Sequence, residues 1–163
     1  CDKVYAFEPV KNTFSYLKEN TFINNLNKKC ILINKGISDK KKTIDVSINR
    51  NHSGAANLRN GHNEGNEYNK EKIDLINFKE LNDLVKYEKG TKIIVKIDVE
   101  GHEESVLKTL VLSDLINDIN EILYEVDEDW VDPNILSNLL KIKGFKKFTK
   151  VGKNKHYDVL AQK

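Results

Sequence analysis

Apolar residues along the chain follow two alternating spacings, one typical of strands and the other of helices. Short apolar runs bounded by turn residues predict strands at residues 4–7, 30–33, 73–78, 92–99 and 119–126. Apolar residues three or four positions apart predict helices over residues 12–27, 81–85, 106–115 and 135–142. Asn12 or Thr13 is the expected N-cap of the first helix. Strands that alternate with helices predict an α/β domain with a mainly parallel sheet.

Three further segments complete the predicted organisation. Residues 43–48 alternate apolar and polar side chains, which predicts a half-buried strand. Residues 145–151 and 156–161 predict a terminal hairpin. Residues 49–70 contain almost no apolar side chain and predict a long surface loop. Loops of this length are often functional, so we expect this one to help form a substrate pocket.

Length and charge limit the classes of function. With 163 residues and 39% hydrophobic content, the chain is long enough for one core, and we expect a single domain. Its 27 basic residues nearly balance its 25 acidic ones, and the net charge of +2 does not favour nucleic acid or an anionic membrane as a partner. Only Arg50 and Arg59 are arginines, which further disfavours nucleic-acid binding.

Cysteine use and hydropathy give expectations about location. Cys1 and Cys30 form no CxxC pair and are too few for a disulfide scaffold, so we expect a reducing, cytoplasmic setting. No stretch reaches the roughly 20 apolar residues of a membrane span. The sequence contains no Met, and a strand is predicted within a few residues of Cys1. We therefore expect that residues 1–163 are an N-terminally truncated domain.

Acidic residues follow three of the predicted strands. Glu8 comes after the first, Asp98 and Glu100 after the run at 92–99, and Glu125 near the end of the next. In a parallel sheet these carboxylates would converge on the edge where ligands bind. A carboxylate there can accept hydrogen bonds from the two hydroxyls of a ribose, a role that fits Glu8. The alternative for Glu8 is a solvent-exposed acid before a proline.

The segment after the run at 92–99 concentrates charged side chains around a tight turn. Gly101 permits the turn, and His102 opens the following helix with Glu103 and Glu104, which suit the helix dipole as surface residues. Asp98 and Glu100 beside a histidine could position a hydroxyl group, raise one another's pKa or hold a cation. They do not supply the six or more oxygen ligands of a calcium site, so we predict no dedicated metal site.

Four motifs together resemble the FkbM family of class I methyltransferases. They are AFEP at 6–9, NKGISD at 34–39, SGAANL at 53–58 and KIDVEGHEESVLKTL at 96–110. The resemblance extends over nearly the whole chain, and the KIDVEGxE core is its most specific part. It implies a Rossmann-like sheet, mostly parallel with a reversed C-terminal strand, and S-adenosylmethionine as methyl donor. By the same resemblance, Glu8 binds the cofactor ribose, Ile37 lies near the adenine and Asp98 lies near the methionine end.

One element of the family pattern is not found in this sequence. The family begins with a strand and a glycine-rich turn that holds the cofactor, and no GxGxG-like sequence occurs here. We expect that element to precede residue 1, with its strand in the middle of the sheet. On that expectation, residues 1–163 alone would neither bind S-adenosylmethionine appreciably nor fold to ordinary stability.

The preferred function is O-methyl transfer to a sugar or another small-molecule or glycan acceptor. His102 is the candidate general base, because its ordinary pKa of about 6.5 lies near operating pH. Glu125 is the candidate for orienting the acceptor. The alternatives are a solvent-exposed helix start for His102 and a plain rim acid for Glu125.

Two other functions remain open at this stage. A nicotinamide-dependent sugar enzyme would also place an acid at a strand end, but it needs a Tyr-x-x-x-Lys pair, and Tyr16 with Lys18 and Tyr87 with Lys89 have the wrong spacing. A non-catalytic Rossmann-like binding module is the other alternative. The sequence gives no prediction of the oligomeric state.

Overall fold

The computed structural model describes residues 1–49 and 68–163. These residues form two compact units, Cys1–Ile76 and Asn77–Lys163, which we call the N-terminal and C-terminal units. No helix among the described residues is long and apolar enough to cross a membrane.

The described residues of the N-terminal unit, 1–49 and 68–76, form two small sheets and one helix. Strands β1 (Val4–Phe7) and β2 (Cys30–Ile33) pair in parallel, and helix α1 (Lys11–Ile23) connects them. Strands β3 (Gly36–Ile37), β4 (Lys42–Asn49) and β5 (Tyr68–Ile76) form a second sheet in the order β3-β5-β4. In that sheet β3 runs parallel to β5, whereas β4 runs antiparallel to it.

The core of the N-terminal unit confirms the alternation predicted for residues 43–48. Ile44, Val46 and Ile48 point to one side of β4, and the buried cluster that they join also contains Val10, Ile73 and Leu75. The polar residues between them point away from this cluster, as expected for a strand with one buried face.

Two predictions for this unit are wrong at the element boundaries. Strand β4 extends to Asn49 and β5 begins at Tyr68, although both positions fall in the predicted loop 49–70. The cause is the ladder itself: Asn49 pairs with Tyr68, and backbone hydrogen bonding carries both strands beyond their last apolar residues. The rest of that loop, and the SGAANL motif within it, lie outside the described residues.

Helix α1 begins earlier than predicted, at Lys11, and its N-cap is Val10 instead of Asn12 or Thr13. No side chain caps this end. Val10 is buried, and its carbonyl oxygen accepts the first helical bond, from Phe14 N, at 2.8 Å. Burial of an apolar residue therefore sets the start of the helix where the sequence suggested a polar cap.

Strand β5 also bears on one question about alternative functions. Tyr68 and Lys72 have the Tyr-x-x-x-Lys spacing, but they lie in a strand. Four residues of extended chain span about 13 Å. A helix would place the same two positions about 6 Å apart, one above the other, so β5 holds them much farther apart than a helix would.

The C-terminal unit contains four strands and three helices. In chain order these are α2 (Phe78–Leu84), β6 (Ile93–Ile97), α3 (Glu103–Leu112), β7 (Ile119–Asp127), α4 (Pro133–Lys141), β8 (Lys147–Val151) and β9 (His156–Gln162). The strand order is β6-β7-β9-β8. Strand β6 is parallel to β7, and β9 is antiparallel to both β7 and β8.

Successive side chains of β7 point to opposite faces of this sheet, one of which is buried. Ile122, Tyr124 and Val126 are almost fully buried, as are Leu107 of α3 and Leu136 of α4. Residues of β7 between these positions, such as Glu125, face the other way. The charged side chains at the end of the sheet therefore lie on the face opposite this core.

The prediction of a mostly parallel arrangement is wrong, because the sheets are mixed. The parallel pairs are β1–β2, β3–β5 and β6–β7, whereas β4–β5, β7–β9 and β8–β9 are antiparallel. In the β8–β9 pair, a short connection lets neighbouring strands form a hairpin, while a parallel pair needs a longer crossover. The reversed C-terminal strand is β9, and the predicted terminal hairpin is confirmed.

Candidate functional site

Glu8 lies at the carboxyl end of β1 and is held by its neighbours. Its backbone nitrogen donates to Ile33 O at 3.1 Å, and its Oε1 accepts from Val10 N at 2.7 Å. The side chain of Asn34 donates to Glu8 O at 2.8 Å and to Pro9 O at 3.1 Å. The backbone around this carboxylate is therefore fixed by bonds to β2 and the residue that follows it.

The carboxylate of Glu8 is partly desolvated. Burial is the main cause that raises its pKa, the Glu71 carboxylate adds to this effect, and the hydrogen bond from Val10 opposes it. In the described part of the chain no donor bonds Glu8 Oε2. A half-buried carboxylate with one unbonded oxygen is suited to accept a ligand hydroxyl.

Gly36 packs tightly beside the Glu8-Pro9 turn. A Cβ atom at Gly36 would lie 2.5 Å from Leu75 Cδ2 and 3.4 Å from Pro9 Cβ, so a side chain does not fit without a shift of Leu75. Ile37 follows Gly36 in β3 and is half-buried. The structure thus places Pro9, which follows Glu8, beside Gly36, which precedes Ile37.

In the C-terminal unit, the chain leaves β6 through a tight turn before α3. Glu100 and Gly101 both have positive φ, 48° and 91°. Within the turn, His102 N donates to Val99 O at 3.2 Å, and Gly101 N donates to Glu103 Oε1 at 3.0 Å. Glu103 is only 3% exposed. The interpretation of Glu103 as a surface partner of the helix dipole is therefore wrong, since this side chain holds the turn from inside.

Glu100 is exposed but lies among other carboxylates. Partial desolvation raises its pKa, and the nearby Glu125, Asp98 and Glu103 raise it further, while His156 acts in the opposite direction. A non-glycine residue with positive φ is also uncommon. Both the backbone and the charge of Glu100 are thus unfavourable at this position.

A row of charged side chains crosses the sheet on the face opposite the core, and we call it the charged row. Its members are Lys96, Asp98, Glu125, Asp158 and His156. Lys96 Nζ donates to Asp98 Oδ2 at 2.9 Å, and this bond is the main cause that raises the pKa of Lys96. The carboxylates of Asp158 and Glu125 act in the same direction. Glu125 stands directly opposite Asp158 on β9. Since like charges in such a position repel, the Lys96 ammonium offsets part of that repulsion.

His156 extends the row and pairs with Glu125, with 2.5 Å between Nε2 and Oε1. The hydrogen bond to Glu125 raises the pKa of His156, and the Asp127 and Glu100 carboxylates contribute. His156 and Lys96 were not among the site residues predicted from the sequence. His156 could have been found, because a reversed strand beside β7 must begin at the edge where β7 ends.

His102 occupies the N-cap position of α3 and is half-buried. Its side chain makes no capping hydrogen bond, although it has another interaction within the chain. The alternative interpretation of His102 as a solvent-exposed residue at the helix start therefore does not fit its half-buried position. Its role as a general base stays a prediction.

The loop after β7 forms an open cavity of about 550 Å³. It is lined by Glu128, Asp129, Trp130, Val131, Asp132 and Pro133. Trp130 is 52% exposed, which is unusual for a large aromatic side chain. Lys155 pairs with Asp129 at 2.5 Å, and Asp132 caps α4 through Asn134 N at 2.8 Å. The cavity and the exposed Trp130 indole therefore lie in the segment directly after β7, the strand that carries Glu125.

Among residues 1–49 and 68–163 there is no group of three or more His, Cys, Asp or Glu side chains placed to hold a metal ion. Both cysteines are free thiols.

Comparisons with known proteins identify the family. The crystal structure of methyltransferase FkbM from Methylobacillus flagellatus KT is similar to this chain with a TM-score of 0.58 and 12% sequence identity. The match covers 99% of this chain and 36% of that one, so this chain spans about a third of the neighbour's length. At this identity the likeness shows the fold alone. A comparison with curated proteins gives no match. The family model of the methyltransferase FkbM domain matches residues 1–147, and the chain therefore belongs to the FkbM methyltransferase family.

Proposed function

We propose that this chain takes part in S-adenosylmethionine-dependent methyl transfer to a hydroxyl oxygen of a small-molecule or glycan acceptor, in the cytoplasm. The observation that carries the proposal is the family match over residues 1–147. This range includes the Glu8-Pro9 turn, the turn at Glu100-Gly101 and the Glu125 position, so all the residues predicted for the site belong to the matched domain.

The residues at the strand ends fit the cofactor chemically. Glu8 would accept hydrogen bonds from the ribose hydroxyls through Oε2, and half-buried Ile37 would lie against the adenine. Asp98 has a side chain that is 51% exposed and is held by Lys96, so it is accessible to the ammonium group at the methionine end. When bound, S-adenosylmethionine supplies an electrophilic methyl group on a sulfonium.

A base must take the proton of the acceptor hydroxyl, and two histidines are candidates. His102 is the one predicted from the sequence. His156 is better supported by geometry, because Glu125 accepts from its Nε2 and so leaves the lone pair of Nδ1 to receive a proton. In this arrangement Glu125 orients the base, and its predicted role in orienting the acceptor stays a prediction. The raised pKa of His156 makes it a stronger base than an isolated imidazole.

The cavity after β7 supports a sugar acceptor. An exposed indole face such as that of Trp130 can pack against the apolar face of a pyranose ring. The carboxylates of Glu128 and Asp129 can accept hydrogen bonds from sugar hydroxyls. We assign the acceptor to this cavity because its lining combines an exposed indole with carboxylates.

The test uses the intact protein. Titration calorimetry with S-adenosylmethionine measures donor binding, and transfer of a labelled methyl group to a panel of methyl glycosides and oligosaccharides measures activity. We expect binding, and a product heavier by one methylene unit. Folded protein that does not bind S-adenosylmethionine would contradict the proposal. Binding without transfer to any hydroxyl acceptor would favour the non-catalytic module.

A further inference from the structure

Lysines are unevenly distributed in this chain. Residues 141–155 contain seven lysines and no acidic residue, while the net charge of the whole chain is +2. The remaining residues therefore sum to −5. A composition of 25 acids in 163 residues would place about two acids in a segment of this length. The small net charge thus conceals a strongly basic segment in an otherwise acidic chain.

All seven lysines of this segment are exposed. We call them the basic edge: Lys141, Lys143, Lys146, Lys147, Lys150, Lys153 and Lys155. They lie at the end of α4, in the α4–β8 connection, along β8 and in the β8–β9 connection. Strand β8 is the last strand in the order β6-β7-β9-β8. The segment therefore borders one side of the C-terminal unit.

Intramolecular pairing neutralises little of this charge. Lys150 approaches Glu128 at 3.7 Å and Lys155 approaches Asp129 at 2.5 Å, and both pairs are exposed. Exposed pairs of this kind are weak and easily exchanged for other partners. Within the described residues, the other five lysines of the basic edge have no anionic side-chain partner. The basic edge is thus available to an external anion.

Protection of an edge strand does not explain the whole cluster. Lysines on an edge strand prevent pairing with other sheets, and Lys147 and Lys150 of β8 can serve that purpose. Lys143 precedes the strand, and Lys153 and Lys155 lie beyond it. A function in binding accounts for these positions as well as for those in β8.

Exposed apolar residues accompany the lysines. Ile142 is 73% exposed and Val151 is 53% exposed. Lysines next to apolar side chains suit the surface of an anionic bilayer, where the ammonium groups meet lipid phosphates and the apolar groups enter the headgroup region. Nucleic-acid recognition favours arginine, and residues 141–155 contain none.

We propose that the basic edge docks the intact protein on an anionic lipid bilayer. This inference does not depend on the methyl-transfer proposal, since it requires only the lysines and exposed apolar side chains of the basic edge. Each lysine near an anionic surface contributes a factor of about five to the binding constant. Binding should weaken as salt rises, because the charges involved are exposed and are screened over about 10 Å at 0.1 M ionic strength.

The experiment is co-sedimentation of the intact protein with two kinds of vesicle, one of phosphatidylcholine alone and one in which about 30% of the lipid is phosphatidylglycerol. This fraction of anionic lipid gives the vesicle a negative surface potential. We expect binding to the anionic vesicles only, and we expect it to weaken strongly but not to vanish at high salt, because salt screens the lysines but not the apolar contacts. The combined substitutions Lys143→Gln, Lys146→Gln, Lys147→Gln and Lys153→Gln should lower the partition coefficient by about a hundredfold or more. Ile142→Ser should weaken the binding that remains at high salt.

A matched control removes the same charge elsewhere. Lys28, Lys29, Lys40 and Lys42 are exposed lysines of the N-terminal unit, and their replacement by Gln changes the net charge equally. Circular dichroism verifies that each variant is folded. No binding of the wild type to anionic vesicles would overturn the proposal, and so would an equal loss in the control set. Tighter binding to double-stranded DNA than to the vesicles at the same salt would replace the lipid by a nucleic acid.

Discussion

Glu8 and Glu100 are carboxylates whose ionised forms are disfavoured in the folded protein. Burial raises the pKa of Glu8, and desolvation together with neighbouring carboxylates raises that of Glu100. An acid whose pKa is raised on folding destabilises the fold at neutral pH and ceases to do so once it is protonated. Strained or destabilising residues cluster at functional sites, so both side chains are targets for separating stability from function.

Replacement of Glu8 should separate these two properties. Glu8→Gln keeps an oxygen that can accept from Val10 N and removes the partly desolvated charge, so we expect unchanged or higher stability. The loss of a charge-assisted bond to the ribose should weaken S-adenosylmethionine binding by about 1.5–3 kcal/mol, or roughly 10- to 150-fold. Calorimetry and thermal unfolding measure the two effects. Glu19→Gln, at an exposed position of α1, is the control, and an unchanged dissociation constant in Glu8→Gln would sink the ribose assignment.

Glu100 allows a test that begins from the backbone. Asn adopts the left-handed conformation more readily than Glu and carries no charge, so Glu100→Asn should stabilise the protein by on the order of 0.5–1 kcal/mol at neutral pH. The electrostatic part of the gain should vanish below the carboxyl's ordinary pKa of 4.5. Urea unfolding at pH 7 and pH 4 measures both, with exposed Glu88→Gln as control. A less stable Asn variant at pH 7 would show that Glu100 contributes to the fold.

At the scale of elements, the site depends on how strands align. Strand β9 places His156 diagonally across from Glu125, and β6 places Lys96 and Asp98 beside them. None of these residues is near the others in sequence except Lys96 and Asp98. The arrangement follows from one parallel and one antiparallel neighbour of β7, each with a fixed register.

The pair across β7 and β9 predicts a defined pH dependence. The folded pKa of His156 lies above its ordinary value of 6.5, so the pair stabilises the fold below pH 6.5, and this contribution is lost as pH rises through the folded pKa. Glu125→Gln should lower the pKa of His156 and remove that slope. Titration of the imidazole carbon resonance by NMR measures the pKa, with Lys153→Ala in the same hairpin as control. The same pKa in Glu125→Gln and wild type would refute the pairing.

At the scale of the whole molecule, cofactor binding should appear as a gain in stability. A ligand present at a hundred times its dissociation constant stabilises the state that binds it by about 2.7 kcal/mol. For a domain of 163 residues that corresponds to a rise in Tm of roughly 5–10 °C. Differential scanning calorimetry of the intact protein with and without S-adenosylmethionine measures the shift. We expect a smaller shift for Glu8→Gln at the same concentration, and the absence of any shift in the wild type would argue against donor binding.

Charge is also a property that differs between the whole chain and its parts. The net charge of +2 does not favour an anionic partner, but this sum over all residues says nothing about how the charges are distributed along the chain. The seven lysines of the basic edge lie within 15 residues, so the sequence already shows the cluster. Only the structure shows that all of them are exposed and that few have acidic partners.

The sequence by itself determined the elements and the family. Period-two and period-3.6 patterns are local, so strands such as Val4–Phe7 and Ile119–Asp127 and helix α4 with Pro133 in its first turn were predictable. The KIDVEGxE core gave the correct family because it is a contiguous motif. The ends of β4 and β5 were not predictable, since ladder bonds between distant residues extend both strands.

Tertiary structure alone decided pairing direction, register and the composition of the charged row. Apolar periodicity identifies a strand but carries no information about which neighbour it pairs with. The antiparallel β4–β5 pair, the buried Glu103 and the His156–Glu125 contact therefore emerged only from the fold. Charges separated by 31 residues interact because two strands place them 2.5 Å apart, and no local rule on the chain encodes that distance.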